Sequence, residues 1–199
     1  MSIPTPPEII AEAAPILEVI RAALRYGVKK ARAYFEEEQT EPDPVLAPNV
    51  IRWQAKRYFD HAGHAVHDLE EDYSRPAAGN NGLRLSFKRL RFIIRKAAEG
   101  ELPVPSSETQ KKFYSYNLVF QFKDLPEDKE VHVIVLWDTD SAYSELTSLD
   151  LVLPRRGGET REQTKAYWYA PILDLAETGD HGDLDIERRD DDKDLPGDK

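Results

Sequence analysis

Two histidines and a carboxylate lie along one side of a predicted helix. His61, His64 and Asp68 are three and four residues apart, which places them within about 60° of one another when a period of 3.6 residues is projected. Two imidazoles and a carboxylate at this spacing can bind one metal ion. The apolar stripe of the same helix lies to one side of them, so the alternative is a solvated polar surface.

A second set of possible metal ligands follows the most hydrophobic stretch of the chain. Residues 138–141 read Asp-Thr-Asp-Ser directly after residues 131–137, which are apolar almost throughout. Asp138 and Asp140 at a strand end can bridge a divalent cation, with Glu145 or Asp150 completing an acidic cluster. The alternative is a turn in which these short polar side chains bond to their own backbone.

The stretch 131–143 resembles the metal-binding hairpin motif of family B DNA polymerases. The resemblance implies that Asp138 and Asp140 bind a divalent cation, and it covers only this short stretch of the 199 residues. The chain is far too short for a polymerase, and no motif supplies the third carboxylate or the nucleotide-binding residues. A metal-dependent phosphoesterase or nuclease-like enzyme is therefore one hypothesis for the function.

Basic residues are concentrated between residues 83 and 98, which we predict to be a third helix. Arg84, Lys88, Arg91 and Arg95 fall at i, i+4, i+7 and i+11, so on a helix they would form a cationic ridge beside the buried stripe. Such a ridge can follow a phosphate backbone, an anionic membrane surface or an acidic protein. An ordinary solvated face is the alternative.

Negative charge is concentrated at the C-terminus. Residues 174–199 contain 11 acidic and 4 basic side chains, which is −7 of the formal net charge of −10. These residues include few apolar groups, so we expect a disordered acidic tail. A tail of this length can reach across the domain and compete for the cationic ridge.

The elements that must position these residues follow from the hydrophobic periodicity. Apolar residues at three- and four-residue spacing predict helices over residues 5–39, with an interruption at Pro15, and from Asn49 towards Pro76. Period-two alternation predicts a strand at 113–123, and three further strands are predicted at 131–137, 149–153 and 163–170. We therefore predict an α+β domain over 1–173. Its helical half, 5–100, has three N-terminal helices packed on a C-terminal antiparallel sheet of about four strands, 110–171.

Composition narrows the function further. The chain has no cysteine, which excludes disulfides and thiolate chemistry and favours the cytoplasm. No leader and no window of 18 uncharged apolar residues is seen, so we expect neither a signal peptide nor a membrane span. A pI near 5.0 argues against general affinity for nucleic acid.

Our preferred hypothesis is a non-catalytic, regulatory or macromolecule-binding protein. The partner is another protein or a nucleic acid, bound by the ridge and modulated by the tail. No cofactor is expected, except a divalent metal if the carboxylate hypothesis holds. A third hypothesis is an acidic antitoxin-like protein that neutralises a basic partner.

Overall fold

The computed structural model describes residues 3–64, 66–68, 82–97, 100–121 and 129–174. The first helix, α1, spans Pro6–Glu37 and begins as predicted, with the Thr5 backbone N–H donating to the Glu8 carboxylate at 2.7 Å. Pro15 lies inside the helix without ending it. The predicted interruption is wrong because the proline removes a single backbone donor from a helix whose buried stripe continues on both sides.

The second helix, α2, spans Leu46–His61 and packs against α1. The two helices approach closely, since a Cβ atom on Gly27 would lie 2.5 Å from the Ile51 carbonyl oxygen. The prediction that α2 continues towards Pro76 is wrong. After His61 the chain turns at Gly63, which has a φ of +76°, and enters a strand.

A six-stranded mixed sheet forms the rest of the described fold. Strand order in the sheet follows chain order, and five of the strands have five or more residues, while the sixth, at one edge, has three. All neighbouring strands are antiparallel except β3 and β4, which are parallel. The strands are β1 Val66–Asp68, β2 Leu83–Phe87, β3 Leu90–Lys96, β4 Val131–Thr139, β5 Leu146–Arg156 and β6 Lys165–Pro171.

The predicted third helix, residues 83–98, is instead the hairpin of β2 and β3. The chain reverses at Lys88, which adopts a φ of 50°, so that Phe87 pairs with Leu90 and Leu83 with Ile94. Leucine and phenylalanine at alternate positions point to the buried face on both strands. The helical interpretation is wrong because period-two burial against the rest of the sheet prevails over the four-residue spacing.

The predicted strand at 113–123 is also wrong. Residues Glu108–Ser115 form a third helix, α3, and Tyr116–Gln121 form a 3₁₀ helix. Ser107 caps α3 by accepting a hydrogen bond from the Gln110 backbone at 3.3 Å. Because parallel strands need a crossover connection, the chain between β3 and β4 has to pass over one face of the sheet, and α3 lies in that crossover.

The two faces of the sheet are covered by different elements. On one face, alternate residues such as Phe92, Val133 and Leu151 pack with the buried stripes of α1 and α2. On the other, Ile93, Ile134 and Val152 are among the buried residues packed with α3. We call these the α1–α2 face and the α3 face.

The predicted α+β class is therefore confirmed. The predicted arrangement, three N-terminal helices packed on an antiparallel sheet of about four strands, is wrong. The division into a helical half, 5–100, and a sheet half, 110–171, does not separate helices from strands, since β1 to β3 precede residue 100. The single domain over 1–173 stays a prediction. The predicted disorder of 174–199 lies outside the described residues from 175 onwards. None of the helices in the described ranges is long and apolar enough to cross a bilayer.

Candidate functional site

The four cations predicted to form a helical ridge lie on the β2–β3 hairpin. Arg84 is on β2, Lys88 is at the turn, and Arg91 and Arg95 are on β3. The helical ridge is therefore wrong as a geometry, because the four residues are divided between two antiparallel strands and the turn that joins them. The structure gives each of the four a different environment.

Arg95 is buried beneath α3. Its side chain is 6 % exposed, and its Nη1 atom lies 3.2 Å from Gln110 Oε1 and 3.4 Å from Tyr114 Oη. A guanidinium enclosed in this way cannot contact a partner surface. Lys88, by contrast, is exposed, with its Nζ atom 5.2 Å from the centre of the Phe87 ring.

Arg91 is half-buried and fixed by several hydrogen bonds. Its Nη2 atom donates to Glu130 Oε1 at 2.5 Å, and its Nη1 atom donates to the carbonyl oxygens of Lys88 and Leu90 at 2.8 and 3.2 Å. These bonds tie the hairpin turn to the segment that leads into β4. Arg91 is thus held in place, with its charge already matched by one carboxylate.

A cleft of about 650 Å³ opens on the α3 face, between α3 and the β2–β3 hairpin. We call it the hairpin cleft. Its lining includes three cations, one carboxylate and two histidines, so with neutral histidines it carries two positive charges in a chain of net charge −10. These six residues are His64, Arg84, Arg91, Lys112, Glu130 and His132.

Arg84 and Lys112 supply the excess positive charge of the hairpin cleft. Arg84 is half-buried, and no carboxylate among the described residues pairs with it. Its Nε atom is buried without a hydrogen-bond acceptor within the described parts of the chain. Lys112 is exposed, and it lines the cleft from α3. A half-buried guanidinium and an exposed ammonium that no described carboxylate neutralises would favour a negatively charged group in the cleft.

His132 lies at the start of β4 in a column of aromatic rings. Its ring is stacked on Tyr116 with centroids 3.9 Å apart and an interplanar angle of 4°, and the Phe113 ring lies 4.2 Å away. Register places His132 directly beside Arg91 on β3. Burial lowers the pKa of His132 to about 4, although the Phe113 carbonyl and Glu130 favour the charged ring. The ring is therefore neutral at pH 7.

The 3₁₀ helix that carries Tyr116 is anchored to the sheet by Asn117. This side chain is fully buried. It donates to the carbonyl oxygens of His132 and Pro154 at 2.6 and 3.0 Å and accepts from the His132 backbone at 3.0 Å. Asn117 thus fixes the wall of the cleft against β4 and β5.

Within the described parts of the chain, the side chains predicted to bind metal do not form one cluster of three or more ligands. His64 lines the hairpin cleft, His61 is exposed at the end of α2, and the side chain of Asp68 lies outside the described residues. Asp138 is six residues further along β4 than His132, which is about 20 Å at 3.3 Å per residue. His64, which shares the hairpin cleft with His132, is therefore separated from Asp138 by most of the length of β4.

Asp138, near the end of β4, and Asp140, just after it, accept hydrogen bonds from backbone groups close to them in the chain. Asp140 accepts hydrogen bonds from the backbone and hydroxyl of Ser144, both at 2.7 Å, and from the backbone of Glu145 at 3.1 Å. Desolvation raises the pKa of Asp140, but these bonds outweigh it and the net shift is downwards. Asp138 accepts from the Thr139 backbone at 2.9 Å and lies 3.5 Å from Lys96. This is the turn that the sequence offered as the alternative to a metal site.

Asp150, considered as a further ligand, lies in a separate cleft of about 510 Å³ with Glu101 and Arg161. Burial raises the pKa of Asp150, and Glu101 is paired with Arg161 at 2.5 Å. Among the described residues, no group of three histidine or acidic side chains is placed to hold a metal ion. The metal-dependent enzyme and the antitoxin-like protein stay predictions.

The chain matches no protein-family model, no curated protein and no solved structure. Of the residues that line the hairpin cleft, Arg84, Arg91 and His64 are functional candidates by sequence pattern, whereas Lys112, Glu130 and His132 are not. No local motif joins these residues, because a parallel strand pair brings them together from separate segments.

Proposed function

We propose that this protein is a non-catalytic binding protein that holds a negatively charged segment of a partner macromolecule in the hairpin cleft. The observation that carries the proposal is the environment of Arg84. Its half-buried side chain lines an open cleft, and no described carboxylate pairs with it. A partner carboxylate or phosphate would supply the opposite charge that this guanidinium lacks among the described residues.

The other charged side chains of the cleft favour the binding of an anion over that of a cation. Arg91 is neutralised by Glu130, which leaves Arg84 and Lys112 to attract the partner. Charge-assisted hydrogen bonds in a partly desolvated cleft contribute about 1.5–3 kcal/mol each, compared with about 0–1 kcal/mol for pairs on an open surface. Recognition is therefore concentrated in the cleft, even though the chain as a whole is acidic.

The acidic residues 174–199 have a modulating role in this proposal. Their charge of −7 matches the chemistry that the cleft selects, so they compete with the partner at low ionic strength. The Asp190→Asn, Asp191→Asn, Asp192→Asn triple variant in the full-length chain should then bind an anionic probe more tightly than the wild type. Unchanged affinity at low salt would remove the modulating role and leave the cleft unaffected.

Fluorescence anisotropy with two labelled anionic probes, a hexaglutamate peptide and a short oligothymidylate, tests the proposal. We expect Arg84→Ala to weaken binding of the preferred probe about 10- to 100-fold, which corresponds to 1.4–2.8 kcal/mol. Lys112 is exposed, so Lys112→Ala should weaken binding by at most about fivefold. Both variants should reduce the salt dependence of binding. Arg156→Ala is the matched control, because Arg156 is an exposed arginine on β5 away from the cleft. Failure of both probes to bind, or equal losses for Arg84→Ala and Arg156→Ala, would refute the proposed function.

A further inference from the structure

The hydrogen bonds of His132 fix which of its ring nitrogens carries the proton. Nδ1 lies 3.3 Å from the carbonyl oxygen of Phe113, and a carbonyl oxygen can only accept a hydrogen bond. In the neutral ring the proton is therefore on Nδ1, and Nε2 is left as an acceptor. The stack between Phe113 and Tyr116 keeps the ring in this orientation.

Two acceptor atoms consequently face each other in the hairpin cleft. His132 Nε2 lies 3.7 Å from Glu130 Oε2, which is beyond hydrogen-bond distance. The other carboxylate oxygen of Glu130 already accepts from Arg91. Among the described residues, no donor bonds to either facing atom. A group that carries an N–H or O–H into the cleft would therefore find an acceptor at His132 Nε2.

The donor that fits this position is a neutral one. The cleft lining has three cations and one carboxylate, so an ammonium or guanidinium group would be repelled by the excess positive charge. An amide N–H has no charge and donates one hydrogen bond. The cleft thus offers an acceptor for a neutral donor at one place and cations for an anion at another.

We propose that the partner segment is an acidic peptide, with carboxylates bound by Arg84 and Lys112 and a backbone amide N–H donated to His132 Nε2. This inference rests on the proposed function and specifies its ligand. An acidic peptide carries both groups along one chain, since carboxylates and amides alternate in close succession. A cleft of about 650 Å³ is within the size range of sites for compact ligands, so it takes a short segment.

A nucleic acid fits the same surface less well. Affinity for nucleic acid depends on neutralising many phosphates along an extended track. Here the cleft contributes only two cations without a described carboxylate partner, Arg84 and Lys112, in a chain with net charge −10. A long polyphosphate backbone would be repelled by the remainder of the protein, whereas a short acidic segment contacts the cleft alone.

A matched pair of probes separates the donor from the charge. The first is a labelled tetraglutamate peptide, and the second is its depsipeptide analogue, in which esters replace the backbone amides so that length and charge are unchanged but the N–H donors are lost. We expect the wild-type protein to bind the peptide about tenfold more tightly than the depsipeptide, which is the effect of one hydrogen bond of about 1.4 kcal/mol.

Variants of His132 assign that preference to its Nε2 atom. His132→Asn can still donate to the Phe113 carbonyl but has no acceptor at the position of Nε2, so it should bind both probes equally. Thermal unfolding and near-ultraviolet circular dichroism show whether the variant is folded. If it is not, the comparison of the two probes on the wild-type protein still decides the question. Arg84→Ala should weaken both probes by the same factor and keep the preference for the amide.

The possible outcomes distinguish this inference from the proposed function. Equal, Arg84-dependent binding of peptide and depsipeptide would overturn the inference and leave the proposed function intact. Tighter binding of oligothymidylate than of a peptide of equal charge would overturn the assignment to acidic peptides and indicate a nucleic acid. If neither peptide nor oligothymidylate binds, the proposed function itself fails.

Discussion

Asn117 offers the sharpest test of how the hairpin cleft is built. Its side chain makes three hydrogen bonds with backbone groups of two strands, at 2.6, 3.0 and 3.0 Å. Alanine at this position removes all three bonds. It leaves the His132 N–H and the carbonyl oxygens of His132 and Pro154 without this partner, in a place where Asn117 itself is fully buried.

The expected loss follows from those three groups. Each hydrogen bond contributes about 1 kcal/mol net, and a buried polar group left without a partner costs about 1–3 kcal/mol. We therefore expect Asn117→Ala to lower the free energy of unfolding by about 3–5 kcal/mol. At about 2–4 °C per kcal/mol for a chain of this size, the midpoint of thermal unfolding should fall by roughly 10 °C.

Urea unfolding followed by circular dichroism measures this loss. Asn49→Ala is the control, because Asn49 makes a single side-chain bond, to the Val45 carbonyl oxygen at 2.8 Å in an exposed position. It should cost less than about 1 kcal/mol. A loss below 1 kcal/mol for Asn117→Ala would refute the reasoning, since the 3₁₀ helix would then be held by other contacts. Asn117→Asp should be less destabilising at low pH, where the protonated acid can still donate one bond.

Two further predictions concern stability. The pKa of His132 is lowered to about 4 by burial, so between pH 6.5 and 4 the unfolded chain binds the proton that the folded chain excludes. The stability that this residue contributes is complete above pH 6.5 and falls by about 3 kcal/mol as the pH drops to 4. Urea titrations at several pH values should show that the free energy of unfolding falls more steeply with decreasing pH in the wild type than in His132→Asn. Equal slopes for the two proteins would contradict this prediction. Gly27→Ala should lower the free energy of unfolding by about 1–3 kcal/mol, because its Cβ atom would lie 2.5 Å from the Ile51 carbonyl oxygen. Gly63 has open space around an added Cβ atom but a φ of +76°, so Gly63→Ala should lower the free energy of unfolding by about 1 kcal/mol. Thermal unfolding compares the two variants, and a smaller loss for Gly27→Ala than for Gly63→Ala would contradict close packing of α1 on α2.

The long helix α1 could be predicted from sequence because its pattern has one interpretation. Leu17, Ile20, Leu24 and Val28 repeat at helical spacing and do not alternate with polar residues at period two. The β2–β3 hairpin is different. Its apolar residues satisfy a four-residue spacing and a two-residue spacing together, and its turn at Lys88 has neither glycine nor asparagine. Without a turn signal, the periodicity alone could not separate a helix from a hairpin.

The sequence before α3 contains a helix-start pattern that argues against the predicted strand. Tyr114 and Tyr116 belong to an alternating series, which favoured a strand. However, Ser107 and Gln110 stand three residues apart in the pattern of a helix-capping box, and in the structure Ser107 does cap the helix. A start signal of this kind carries more information than a short alternating series, because it reports a specific backbone hydrogen bond.

The hairpin cleft could not be predicted from local patterns. Arg91 and His132 are neighbours through the parallel pairing of β3 and β4, which is set by the crossover between them. Lys112 reaches the same cleft from α3 within that crossover. Arg84 and Arg91 can be identified from sequence because a cluster of basic residues is visible in the composition. His132 cannot, because a histidine within a hydrophobic strand has no distinguishing spacing.

The position of α3 decides which cations of the hairpin are available to a partner. Arg84, Arg91 and Arg95 all lie on the α3 face, where register pairs Arg84 with Ile93 and Arg95 with Leu136. Gln110 and Tyr114 of α3 cover Arg95. Thr109 and Lys112 of the same helix border the hairpin cleft, which Arg84 also lines. The number of arginines on a strand therefore does not measure its capacity to bind an anion. That capacity depends on where the crossover helix leaves the sheet uncovered, which is why a single arginine, Arg84, carries the proposed recognition.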